Sequence, residues 1–253
     1  MRSTIWLVIA ILISVFSLTP TAQAQSEAWD ELFFKANEAY KKGDFEEAAK
    51  GYNGLIRSGH VNGHIYYNLG NAYFRLNLLG HAILNYERAH LLMPREADLN
   101  FNLSQARGQI QDAIPTSQGF MGMTFFWLES LSLQEVFWGF AFVNILFWAI
   151  LLVRLFLRSD WTYYLFLILI IFWLISGVSL GLKWQMIRTD SRAVIITREL
   201  NVLAGPHVQD TVLFKLHEGA IVNHERSEDG WSLIRLPGKK RGWVKAEAIG
   251  RIR

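Results

Sequence analysis

The 253 residues suffice for one large domain or two to three small ones, and their 51% hydrophobic and 14% aromatic content, with ten Trp and seventeen Phe, is rich for a soluble protein. The formal net charge of +3 gathers into no compact basic patch interleaved with aromatics, so nucleic acid is not an expected partner. Cysteine is absent, which excludes disulfides, thiolate metal sites and cysteine nucleophiles together, and suits an oxidising compartment.

The chain opens with Arg2, an uncharged apolar run from Ile5 to Leu18, Pro20 and the small-residue site Ala22-Gln23-Ala24. This pattern predicts a secretory signal peptide over 1–24, cleaved after Ala24; an uncleaved anchor would leave the following residues on the same side of the membrane.

Over 28–113 the chain repeats itself. Writing 29–62 beneath 63–96 brings Ala36 onto Gly70, Asn37 onto Asn71, Ala48 onto Ala82, Tyr52 onto Tyr86 and Leu55 onto Ala89, a spacing of thirty-four residues. Small residues at 70, 82 and 89 let paired helices approach closely, and aromatics at 66, 73 and 86 fill the space between them and the next pair. The pattern Tyr66, Leu69-Gly70, Tyr73, Ala82, Tyr86, Ala89, Pro94 resembles the tetratricopeptide repeat; the first unit departs from it at Leu55 and lacks the proline. Residues 97–113 continue as a capping helix. Two repeats and a cap are near the minimum that buries a continuous core, so the array is expected to lean on the membrane segment or on a partner.

Within these units Asn37 and Asn71 stand thirty-four residues apart, as do Asn68 and Asn102, and Gln105 extends the first series. A carboxamide both donates and accepts, which suits the backbone of an extended peptide. Asn37, Asn68, Asn71, Asn102 and Gln105 are therefore the candidate partner-binding residues. The tetratricopeptide domains that clamp a C-terminal carboxylate carry Asn at the positions of Asn37 and Asn68. Their basic residues would fall on Phe33, Asp98 and Asn102, so backbone reading is expected here rather than carboxylate clamping.

The apolar run over 119–132 is broken by Gly and too short to span, and reads as an interfacial segment. Two longer runs follow, eighteen uncharged residues between Glu135 and Arg154 and twenty-two between Asp160 and Lys183. They predict transmembrane helices over 135–154 and 161–183. Arg154 and Arg158 in the short connecting loop favour the cytoplasmic side for that loop, which places both large flanks outside. Gly177 and Gly181 offer a small-residue packing face, and Asn144 is the only amide in either span, a candidate for a hydrogen bond across the hairpin or to a partner helix.

From 190 to 253 short alternating runs with turn signals predict five or six strands. Leu200-Asn201-Val202, Gly205-Pro206, Glu218-Gly219, Gly230-Trp231 and Gly242-Trp243-Val244 resemble bacterial SH3-like (SH3b) domains, with Leu203 replacing the polar residue usual there. Trp231 and Trp243 are expected to fill the barrel core, and Lys239, Lys240 and Arg241 to form a solvated hairpin tip.

The chain carries little that resembles catalytic machinery. Gly177 to Gly181 satisfies a G-x-S-x-G elbow, but Ser179 lies in an apolar span and not in a strand–turn–helix. His60 and His64 are separated from a helical pairing by the inter-repeat turn, and no phosphate-cradling glycine loop occurs. No catalytic residue, metal or cofactor is expected. The fold class is a multidomain membrane protein: an all-α tetratricopeptide superhelix, a two-helix transmembrane hairpin and a small all-β SH3-like barrel.

This order of modules, carried by "ANEAYKKGDFEEAAKGY", "YYNLGNAYFRLN", "PREADLNFNLSQAR", the two spans and the "GW…GWV" tail, resembles BatE-type proteins of the aerotolerance (Bat) cluster. The resemblance implies a non-catalytic adaptor of the bacterial inner membrane linked to stress tolerance or envelope maintenance. The partners it implies are membrane proteins with von Willebrand factor A domains and, through them, a MoxR-type AAA+ ATPase. The alternative expectation is peptidoglycan binding or sensing through the SH3-like domain.

Overall fold

The computed structural model describes residues 19–112, 125, 127–157 and 159–253. Residues 1–18 of the expected signal peptide, and 119–124 and 126 of the expected interfacial segment, lie outside them.

Five helices come first: α1 (Thr19–Lys42), α2 (Phe45–Arg57), α3 (Gly63–Arg75), α4 (Leu79–Leu92) and α5 (Ala97–Arg107). Local chemistry sets their starts. Gly43, in the left-handed region at φ 85°, turns the chain after α1, and Asp44 then accepts a hydrogen bond from the backbone N–H of Glu47 to cap α2. Asn62 caps α3 in the same way through the N–H of Ile65. The helices pack as antiparallel neighbours, and Gly70 of α3 lets the ring of Tyr86 on α4 approach to 2.6 Å of where a Cβ would stand. The first pair and α3 share a core around Ala36, Ala48, Tyr52, Leu55, Ile65 and Leu69.

The C-terminal part is a seven-stranded antiparallel sheet in the order β3-β2-β6-β5-β4-β1-β7. The strands are β1 (Arg192–Ile195), β2 (Glu199–Leu203), β3 (Val212–His217), β4 (Ile221–Glu228), β5 (Trp231–Arg235), β6 (Arg241–Lys245) and β7 (Ile249–Arg251). Ala193, Val202, Leu216, Val222, Ile234, Val244 and Ile249, one from each strand, meet in a single core, so the sheet curls around it. The strand beyond the expected five or six is β7. Its three residues are too few to show alternation in the sequence, and it is held by pairing with β1. Contrary to the expectation, neither tryptophan belongs to that core: Trp243 is buried apart from it, with the Arg226 guanidinium 5.2 Å from its ring, and Trp231 is half-buried.

The array leans on the sheet. Ala82, Ile83, Leu84, Tyr86 and Ala89 of α4 share one hydrophobic core with Val194 of β1 and Ile252. The approach is close enough that a Cβ at Gly80 would overlap the carbonyl oxygen of Ile195, and one at Gly250 would overlap the Leu84 side chain. Glycine at these two positions is a packing requirement.

Between the two parts lie a single turn, α6 (Trp127–Ser130), and two long apolar helices, α7 (Leu133–Phe156) and α8 (Asp160–Arg188). At 24 and 29 residues both exceed the ~20 needed to cross a bilayer. Only 17% and 6% of their apolar windows are buried, so they are not core helices of the head. These two candidate membrane-spanning helices indicate membrane association. They pack against each other, with Phe147 stacked between Phe166 (5.9 Å) and Trp173 (5.2 Å). Ser132 and Glu135 form a capping box at the start of α7. Arg95 of the array pairs with Glu135 there, and Arg253 donates to the carbonyl of Ile187 (2.6 Å) near the end of α8. Array and sheet therefore both sit at the open end of the hairpin, about 36 Å of helix away from its closed end.

Candidate functional site

The asparagine positions form a duplicated hydrogen-bonded arrangement. In the first unit, Asn37 Oδ1 on α1 accepts from the Tyr52 hydroxyl of α2 (2.6 Å) and from Asn68 Nδ2 of α3 (3.2 Å). Thirty-four residues on, Asn71 Oδ1 of α3 accepts from the Tyr86 hydroxyl of α4 (2.7 Å) and from Asn102 Nδ2 of α5 (3.0 Å). Asn102 also donates to the Tyr67 hydroxyl (3.0 Å). Each Asn thus ties its own helix pair together and reaches to the next first helix.

This changes what the amides can offer. A carbonyl oxygen has two lone pairs, and in Asn37 and Asn71 both are used inside the array. Among the described residues, neither of their Nδ2 groups donates, so these N–H pairs are what remains for a ligand. Burial pushes the Tyr52 phenol up to about 12 and raises Tyr86 as well, with neighbouring tyrosines adding to the effect, so both hydroxyls stay protonated donors. Gln105 is exposed and does not extend the series, and the sequence supplies no tyrosine thirty-four residues beyond Tyr86.

The same register places Phe34, Asn68 and Asn102 in one column and Phe33, Tyr67 and Phe101 in another, so α1, α3 and α5 share one face. Phe34 is 62% exposed and Phe101 69%, beside the half-buried amides. Between Phe34, Asn37, Tyr40, Asn68 and Asn71 lies a depression of about 200 Å³. That is below the ~300 Å³ at which small-ligand pockets begin, and fits a side chain or a stretch of backbone better than a metabolite.

Sequence reasoning missed an ionic junction that welds array to sheet. Glu87 of α4 is 1% exposed; Arg107 of α5 reaches one carboxylate oxygen and Arg192 of β1 the other, at 3.2 Å. Asp190 holds Arg192 from its other side (2.8 Å). Around this junction Arg88 donates to the carbonyls of Arg251 (2.7 Å) and Ile252 (3.3 Å), Glu218 accepts from the N–H of Gly80 (3.1 Å), and Asp112 accepts from the N–H of His217 (2.6 Å). One signal was present: Glu87 stands four residues after Ile83 and seven after Gly80, on the side of α4 that carries the docking residues.

In the hairpin, a Cβ at Gly177 would lie 3.4 Å from the Phe140 ring, whereas Gly181 faces open space. Asn144 is half-buried and makes no hydrogen bond among the described residues. Ser179 accepts from the Trp127 indole N–H (3.3 Å), and the buried Lys183 ammonium donates to the Leu128 carbonyl (2.6 Å), so α6 is pinned to α8. No group of three or more potential metal ligands occurs among the described residues. No protein-family model matches the chain, and no curated protein matches it.

Proposed function

We infer that the chain is a non-catalytic, membrane-anchored scaffold whose head grips a protein partner along the shared face of α1, α3 and α5. The observation that carries this reading is the duplicated Asn–Tyr–Asn arrangement, which fixes a row of amides beside the exposed rings of Phe34 and Phe101. Exposed aromatics next to immobilised polar groups are the composition of a protein-binding surface. The thirty-four-residue register and its resemblance to tetratricopeptide arrays support the same reading, since their first helices line a concave peptide-binding face. The head is rigid enough to serve, because a shared core and the Glu87 junction join array to sheet.

The bilayer is the inner membrane of a bacterium in this reading, with the head outside, as the Arg154/Arg158 loop and the signal-type N-terminus imply. A cytoplasm-only reporter fused after Arg158 is then active and one fused after Arg192 silent. By the resemblance to BatE-type proteins, the partners are membrane proteins with von Willebrand factor A domains and, through them, a MoxR-type ATPase.

The test is partner recovery from intact membranes with the wild type beside Phe34→Glu/Phe101→Glu, substitutions at exposed rings that leave the tyrosine–asparagine bonds in place. Loss of specific partners from the variant supports the reading; equal recovery of the same partners removes it.

A second reading, peptidoglycan contact through the SH3-like sheet, draws on a depression of about 530 Å³ between Leu213, Arg226, Arg241 and Trp243. Co-sedimentation of the whole protein with peptidoglycan, lost in Trp243→Ala, is what that reading requires.

A further inference from the structure

A cavity of about 1240 Å³ opens where the head meets the hairpin. It exceeds the ~300–1,000 Å³ of ordinary small-molecule pockets, and its character changes along its length. The hairpin end is apolar: Phe137 of α7 and Gly177, Leu180 and Gly181 of α8 line it. Gly181 has nothing within 4 Å of its Cβ direction, so that helix face is a smooth trough. The head end is cationic, with the Arg88 and Arg253 guanidiniums, and no Asp or Glu lies among the lining residues. Trp184 marks the boundary, half exposed and with Arg188 5.0 Å from its ring. Aromatic and basic residues at this level of a spanning helix belong at the headgroup layer.

The geometry points to a bound phospholipid with an anionic headgroup, drawn from the surrounding bilayer. An acyl chain lies along the Gly177–Gly181 trough, and its phosphate meets Arg88 and Arg253. The occupant is a lipid because the trough opens on the hydrocarbon-facing side of α8 while the cations stand only at the head end, a gradient that matches a lipid molecule. Arg88 and Arg253 each spend part of their donors on backbone carbonyls (Arg251 and Ile252 for Arg88, Ile187 for Arg253), which fixes the guanidiniums in place. A seated lipid would bridge α4, α8 and the C-terminal residues, so that head orientation becomes lipid-dependent.

This inference rests on the reading that α7 and α8 cross a bilayer, and that reading fails separately if the full chain stays soluble and monodisperse without detergent. The test is native mass spectrometry of the delipidated full-length protein, titrated with phosphatidylglycerol or with phosphatidylcholine of identical chains. Wild type should retain one lipid with about fivefold preference for the anionic headgroup, the factor equivalent to ~1 kcal/mol for a basic residue at an anionic headgroup. Gly181→Phe puts a ring into the trough from a position whose Cβ meets open space, and should abolish retention of both lipids. Gly139→Phe, on α7 with equally open surroundings, should leave retention unchanged. Arg253→Gln should keep retention and weaken the headgroup preference, since Arg88 still faces the phosphate. The inference is overturned by undiminished retention in Gly181→Phe, by equal loss in Gly139→Phe, or by wild type binding both lipids alike.

Discussion

The two outer helices of the array, α2 and α4, occupy the same register and meet different surroundings. Ala48 and Ala82, and Tyr52 and Tyr86, are equivalent and equally buried. Two residues before each of these, α2 carries Glu46 and Lys50 in water, where α4 carries Gly80 and Leu84 against the sheet. Asn53 of α2 bonds the Tyr73 hydroxyl (2.9 Å), whereas its counterpart Glu87 is the buried ion joined to Arg192. A repeat unit thus keeps the residues that close its own helix pair and changes those that decide what its back meets. The first unit faces solvent there, and the second is half of an interdomain core.

The largest effect should come from breaking what only the second unit has. Glu87→Gln leaves Arg107 and Arg192 facing each other without their carboxylate, and should cost about 3 kcal/mol, the low end for a broken buried pair because both guanidiniums keep a solvent side. Urea unfolding of the full chain in detergent reads this out. Leu84→Ala should cost a comparable ~3 kcal/mol, while Lys50→Ala at the equivalent place on α2 should stay within about 0.5 kcal/mol. Similar effects of these two substitutions would erase the contrast between the units.

Smaller effects should sharpen what the units share. Tyr52→Phe and Tyr86→Phe each remove one hydroxyl donor from an Asn carbonyl and should cost about 1 kcal/mol apiece, nearly alike in the same urea series. Alkaline titration probes the same bonds. With the folded Tyr52 phenol raised to about 12, the unfolded chain gives up that proton first. The contribution is whole below about pH 10 and is lost as pH rises toward 12, so the urea midpoint should fall across that window, less steeply in Tyr52→Phe. An unchanged slope in the variant would contradict the buried position of this hydroxyl.

The parts legible in the sequence are those set by local periodicity. The uncharged runs became α7 and α8 with ends a few residues beyond the predicted ones, and the alternating tail became strands. The thirty-four-residue register sets Asn37 beside Asn71 and Asn68 beside Asn102, and a comparison of Tyr52 with Tyr86 in the same register holds the clue to their bonding. Nothing local could reveal that a tyrosine fifteen residues away would take the carbonyl of Asn37 or Asn71, since that bond exists only once two helices have packed. The docking of array on sheet was hidden for a stronger reason: Glu87 and Arg192 are 105 residues apart, and their pairing depends on both parts folding at the same end of the hairpin.

Binding of protein through the α1–α3–α5 face can be read out by site-specific photo-cross-linking in intact membranes. A photoreactive residue is placed singly at Phe34, at Phe101, or at Lys50 on α2, whose side chain is 76% exposed. A protein-binding face there gives discrete protein adducts from positions 34 and 101 that are absent from position 50. Adducts of equal yield from all three positions, or from position 50 alone, would contradict it.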